Sequence, residues 1–200
     1  MPILCRVTRG DFTESIHVVF AVAVDESGEI FFSAGDPHYL TCVRSALKPF
    51  QAAAAIKGGA VDAAGFSDHH IALMCGSHKG EKEHVDTARN MLEKLNLTIN
   101  DYECGTHYPS DKMTRWGMIK DGQMALALHN NCSGKHAGML ALAKHLNQGI
   151  KNYTQKSHPV QETIFALLQE YTGLEAIPTS IDGCSAPPPF ITLGAIAGLF

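Results

Sequence analysis

Residues 15–35, SIHVVFAVAVDESGEIFFSAG, place two runs of β-branched and aromatic side chains on either side of DESGE at 25–29. Val, Ile and Phe suit a pleated backbone, because a branched or bulky Cβ packs on neighbouring strands and crowds a helical turn. The acidic, glycine-containing break between the runs reads as a turn. With ILCRVT at 3–8 in front, the segment predicts an antiparallel β-meander. The preference then reverses. ALKPFQAAAAI at 46–56 is alanine-rich and loses little side-chain entropy in a helix, and the glycines of KGGAV at 57–61 end it. Strands first and helices after predict an α+β fold, an antiparallel sheet with helices packed on it, and argue against a repeating βαβ unit.

Beyond this point HHIALMCGSHKG at 69–80 reads as a short buried segment that breaks into a loop. EKEHVDTARNMLEKLNL at 81–97 has the apolar spacing and charged face of an amphipathic helix. CSGKHAGMLALAKHL at 132–146 and HPVQETIFALLQEYTGL at 158–174 read as two more helices, the second with Ser157 as N-cap and Pro159 in its first turn. No repeat, low-complexity tract or linker divides the chain. PPPFITLGAIAGLF at 187–200 predicts a helix after a proline stop, without the glycine C-cap or basic last turn common at helix ends. The expectation is therefore one domain over residues 1–200 whose C-terminal part lies beyond Phe200.

The chain has 200 residues, 45% of them hydrophobic, enough for a core. A formal net charge of -4 without a basic run sets up no field for a nucleic-acid backbone or an anionic membrane. The expected partner is a small molecule. Six cysteines (Cys5, Cys42, Cys75, Cys104, Cys132, Cys184) lack the close spacing of a disulfide framework, and no signal peptide or apolar span is visible, which predicts a cytoplasmic protein with reduced thiols.

Four stretches carry candidate chemistry. In CVRSALKPFQ at 42–51, Ser45 sits three residues before Lys48 where a helix begins. Free backbone N–H groups and the positive dipole end favour negative charge there, and the spacing puts the two side chains on one face. Pro49 disfavours the α conformation at Lys48, so a tight 3₁₀-like turn is expected at this entrance. Lys48 is a base only if desolvation or a second cation lowers its pKa; otherwise it is a surface charge behind a capping serine. MCGSHKGEKEH at 74–84 offers Ser77 between glycines, with His78 and His84 nearby, or else a plain turn. HNNCSGKHAGML at 129–140 and DGCSAPPPF at 182–190 each hold a cysteine among polar groups. Two thiolates with a nitrogen donor would suit zinc, although no C-x-x-C or paired-histidine spacing supports it.

Taken in order, RGDFTESIH, RSALKPFQ, CGSHKGEKEH, NNCSGKHAGML, the HP at 158–159 and DGCSAP resemble the asparaginase II family, of the rhizobial inducible L-asparaginase type. The likeness spans nearly all of the chain. It implies hydrolysis of L-asparagine to L-aspartate and ammonia, a fold similar to serine β-lactamases and glutaminases, and a homodimer. It also implies two serine–lysine pairs: Ser45 and Lys48 match the first, Ser77 matches the serine of the second, and the second lysine falls beyond Phe200. Cys132, Lys135 and Cys184 match the residues that hold zinc, and Asp182 matches an acidic residue at the substrate site. Arg44 is the candidate for the substrate carboxylate, and His78 for a further substrate contact. A related serine hydrolase acting on glutamine or β-lactam rings, and a non-catalytic zinc- or ligand-binding module, are the alternatives.

Overall fold

A computed structural model describes residues 1–200, which form a mixed α/β fold with eight α-helices and three small antiparallel ladders. The chain divides into two compact units, one comprising residues 1–43, 169–178 and 189–200, the other residues 44–168 and 179–188.

The first unit holds the strands. β1 (Ile3–Arg9) pairs with β2 (Phe12–Val19), with Ile3 opposite Val19, and the register slips once between Val7 and Thr8. β3 (Ala21–Val24) pairs with β4 (Ile30–Ala34), and β5 (Leu40–Cys42) with β6 (Phe190–Thr192). The expected single meander is thus replaced by separate two-stranded ladders. The long run from Ser15 to Val24 breaks at Phe20, whose ring stacks on Tyr39 at a centroid distance of 4.8 Å. Gly35 lies against that ring, and a Cβ there would come within 2.2 Å of it. An aromatic side chain drawn into a tertiary contact overrides local strand preference.

The second unit is helical: α1 (Lys48–Lys57), α2 (Ala60–Ala63), α3 (Asp68–Cys75), α4 (Lys82–Lys94), α5 (Lys112–Lys120), α6 (Ser133–His145) and the greater part of α7 (Pro159–Thr172). α6 is its centre and packs on α1, α2, α3 and α4. Every residue from Ser133 to Ala143 is buried, the polar Ser133, Lys135 and His136 included, so this stretch has no solvent face. Two glycines on one face let α3 approach closely. A Cβ on Gly134 would lie 2.4 Å from the Leu73 carbonyl oxygen, and one on Gly138 would lie 2.6 Å from Met74 Cε. Neither the α2 nor the α5 helix is legible in the sequence, and at the start of α7 the His158 ring, in place of Ser157, accepts from the Val160 N–H. The expected C-terminal helix shortens to α8 (Leu193–Gly198), which follows β6 and packs on β3 within the strand unit. No helix is long and apolar enough to cross a membrane.

Candidate active site

All nine residues singled out in the sequence lie in the helical unit. The chain enters it through a 3₁₀ turn, Arg44–Leu47, that runs directly into α1 with Pro49 in the first turn, as expected from the proline. Arg44 adopts the left-handed conformation at φ 52°, which a non-glycine residue takes at some cost. The turn aims Lys48 inward, where it is 1% exposed. Its Nζ donates to the Gly76 carbonyl at 2.8 Å, the Ser77 hydroxyl at 2.7 Å and the Asn131 carbonyl at 3.0 Å. An ammonium has three donors, and all three are used. Burial, seconded by the nearby Lys135 charge, pushes the Lys48 pKa below the ordinary lysine value, against an opposing pull from Cys132. The two carbonyls can only accept. When Lys48 loses a proton, its two remaining N–H groups stay on them and its lone pair faces Ser77 Oγ, which must then donate. Ser45 makes no hydrogen bond to Lys48, although both line one cleft.

Ser77 stands in the loop that follows α3. Its neighbour His78 anchors that loop to the helical core. The Gly80 N–H donates to His78 Nδ1 at 3.1 Å, so Nε2 carries the proton and donates to Ser133 Oγ at 2.8 Å. Ser133 in turn donates to the Leu128 carbonyl at 3.2 Å. Burial, with the His84 and Lys48 charges beside it, lowers the His78 pKa to about 4. Its ring stacks on His84 at 5.2 Å. Gly80 at φ 78° must be glycine, since a Cβ there would meet Pro109 and the His129 carbonyl within 3.2 Å. With both ring nitrogens engaged inside the protein, His78 supports Ser77 from behind. Ser77 and His78 also line a second hollow, with His69, Glu83, His84 and Thr87.

The α6 entrance brings in the cysteines. Asn130 folds the chain over, donating to the Cys104 carbonyl at 2.7 Å and accepting from the Cys132 N–H at 2.9 Å. Lys135, 6% exposed, donates to Cys184 Sγ at 3.0 Å. Cys184 sits in a tight turn in which Ser185 adopts φ 69° and Asp182 N–H bonds the Ala186 carbonyl at 3.1 Å. A hydrogen bond from the Cys132 thiol, joined by His136 and the Lys135 charge, holds Cys184 far below the usual thiol range, while Cys132, which keeps the proton, is pushed up. His136 is fully buried, with Nδ1 2.8 Å from the Tyr153 hydroxyl; it lies near enough to Cys184 to favour the thiolate, yet its Nε2 makes no hydrogen bond of normal geometry. No three His, Cys, Asp or Glu side chains converge as a conventional metal cluster. The donors that do converge are two sulfurs and the Lys135 nitrogen. A borderline-soft cation such as zinc fits them by displacing the thiol and ammonium protons.

A narrow cleft of about 10 Å³, room for about one water, runs from the Arg44–Asp182 pair to Lys48, and Ser77 and Cys184 do not line it. Lys48, Gln51, Cys132 and Lys135 line it together with Ser45, and Pro187 and Pro188 form a rigid wall. At the mouth Arg44 faces Asp182 across 3.8 Å, its side chain 73% exposed and that of Asp182 24%. Gln51 is the residue that sequence reasoning missed. The available signal was its place three residues after Lys48 on the same helical face.

The arrangement combines a buried amine on a serine hydroxyl with a zwitterionic cleft mouth. The profile of the L-asparaginase II family matches residues 5–200. The chain belongs to the L-asparaginase II family. No curated protein matches it closely enough to be counted as a relative. Membership in the L-asparaginase II family supports an amide-hydrolysing activity of the asparaginase kind.

Proposed function

We propose that this chain hydrolyses the side-chain amide of L-asparagine through a serine ester, releasing ammonia and then L-aspartate. The observation that carries the reading is the buried Lys48 amine 2.7 Å from Ser77 Oγ, beside a cleft with one cation and one anion at its mouth. Arg44 would take the substrate carboxylate and Asp182 its ammonium, which part from each other to admit it. Neutral Lys48 accepts the Ser77 hydroxyl proton as Oγ bonds to the amide carbon. The same amine returns that proton to the departing nitrogen, the C–N bond breaks, and ammonia leaves an ester on the serine. A water then gives its proton to Lys48 as its oxygen adds to the ester carbon, the C–Oγ bond breaks, Lys48 hands that proton back to the serine Oγ, and L-aspartate leaves.

Ser45 is the second reading for the nucleophile. It shares the Arg44–Asp182 cleft with Lys48, whereas Ser77 lines a separate hollow that has no lining residue in common with it. Cys132, Lys135 and Cys184 would hold a zinc ion, which supplies Lewis-acid polarisation of a bound oxygen when present. A fold like that of serine β-lactamases and glutaminases and a cytoplasmic homodimer complete the proposal.

The test is ammonia release from L-asparagine by the wild type and by Ser77→Ala and Ser45→Ala. The attacking serine's variant should lose about 10² or more in kcat. Mass spectrometry of acid-quenched reactions should find the ester only on chains that keep that serine. A wild type that binds L-asparagine without ammonia release would sink the hydrolytic reading and favour a binding module.

A further inference from the structure

We infer that Gln51 reads the substrate's carboxamide and so separates L-asparagine from its product L-aspartate. The inference rests on the L-asparagine hydrolysis proposed above. Gln51 is 7% exposed and lines the cleft, and its amide is not among the buried polar atoms left without a partner, so what remains open of it faces the cleft. A ligand that fills the cleft removes that amide from solvent, and must then bond it or leave a polar group unpaired at a cost comparable to a lost hydrogen bond.

The depth of the cleft assigns the two ends of the ligand. The charged pair Arg44 and Asp182 stands at the mouth, largely or partly in water, and matches the α-carboxylate and α-ammonium. The inner end holds Lys48 and, one helical turn further along α1, Gln51. Once Arg44 and Asp182 part and the narrow cleft widens, an amino acid bound by its charged groups at the mouth points its side chain at Lys48 and Gln51.

The chemistry of an amide fits this end. Glutamine offers two N–H donors and a carbonyl acceptor, and a carboxamide offers the same set reversed, so the two can pair reciprocally. The carbonyl of Gln51 accepts from the substrate nitrogen, and goes on accepting as that nitrogen departs as ammonia. A carboxylate has acceptors only. Against L-aspartate the Gln51 carbonyl would face an oxygen, and one buried acceptor would stay unpaired. A site built to bond an N–H rejects the analogue that lacks it far more strongly than an apolar site could. The expected result is weak product inhibition.

Two substitutions test this, read as KM for L-asparagine and the inhibition constant for L-aspartate. Gln51→Met keeps the unbranched length and removes both hydrogen-bonding functions. It should raise KM and bring the ratio of the aspartate constant to the asparagine KM down by about tenfold or more, the equivalent of one hydrogen bond of typical worth. Gln51→Glu keeps shape but adds negative charge, and should weaken L-aspartate further, moving its constant in the opposite direction. Thermal melting of both variants shows whether each is folded, and either folded variant suffices. A folded variant whose ratio equals that of the wild type, or constants that move together in both variants, would overturn the role of Gln51. A wild type without turnover of L-asparagine would instead overturn the parent reading, and this inference with it.

Discussion

Lys48 Nζ and Ser77 Oγ lie 2.7 Å apart although 29 residues separate them in the chain, and the lysine's other two donors end on backbone carbonyls. This geometry leaves only one direction for a lone pair. Lys48→Ala is expected to lower kcat by about 10² or more, as loss of a general base typically does. Lys48→Arg should be nearly as inactive, because a guanidinium keeps its proton at any working pH. Activity should rise with pH through the lowered Lys48 pKa, since the neutral amine is the working form. A pH profile that is flat through that range in wild type, or an active arginine variant, would make Lys48 a fixed charge.

His78 ties stability to pH. Its pKa is lowered to about 4 in the folded protein against 6.5 for the ordinary imidazole. The unfolded chain therefore binds more protons between those values, so the contribution of neutral His78 is complete above about pH 6.5 and is lost as pH falls through about 4. That shift corresponds to about 3 kcal/mol. Denaturant unfolding from pH 7 to 4 should show this slope in the wild type and a shallower one in His78→Gln. Equal slopes would remove His78 as its source.

The contact of α6 with α3 depends on Gly134. Gly134→Ala would drive a methyl to within 2.4 Å of the Leu73 carbonyl, a backbone atom that cannot rotate away. Overpacking of this kind is expected to cost about 1–3 kcal/mol, visible as a lowered Tm. The same displacement moves Lys135, the next residue, so activity should fall with stability. An unchanged Tm would mean that the two helices have slack at this point.

The sulfur site is open to metal analysis. Purified protein is expected to contain zinc held by Cys132, Lys135 and Cys184, and Cys184→Ala should abolish or sharply reduce it, each thiolate being a strong ligand. Chelation of the wild type should raise KM more than it lowers kcat if the ion chiefly orients the substrate. Zinc content unaffected by Cys184→Ala would exclude Cys184 as a ligand.

What the sequence determined by itself is the short-range structure. The charged and apolar periodicity of residues 82–94 and 159–172 sufficed for two helices, and Pro49 sufficed for the 3₁₀ turn before α1, because these choices rest on interactions within a few residues. The motif blocks also carried the family and with it the candidate residues. Only the tertiary structure decided which side chains meet. It broke the expected meander at Phe20, because a ring contact with Tyr39 outweighed strand preference. It gave Lys48 to Ser77 and not to its near neighbour Ser45. His78 was turned inward onto Ser133, and Lys135 was set against Cys184 across 49 residues of chain. Above all it set Gln51, 7% exposed, in the lining of the same cleft as Lys48, a condition invisible in the letters. Periodicity reports which face of an element is buried, but the identity of the partner depends on how distant elements pack, and that is set by the whole core at once.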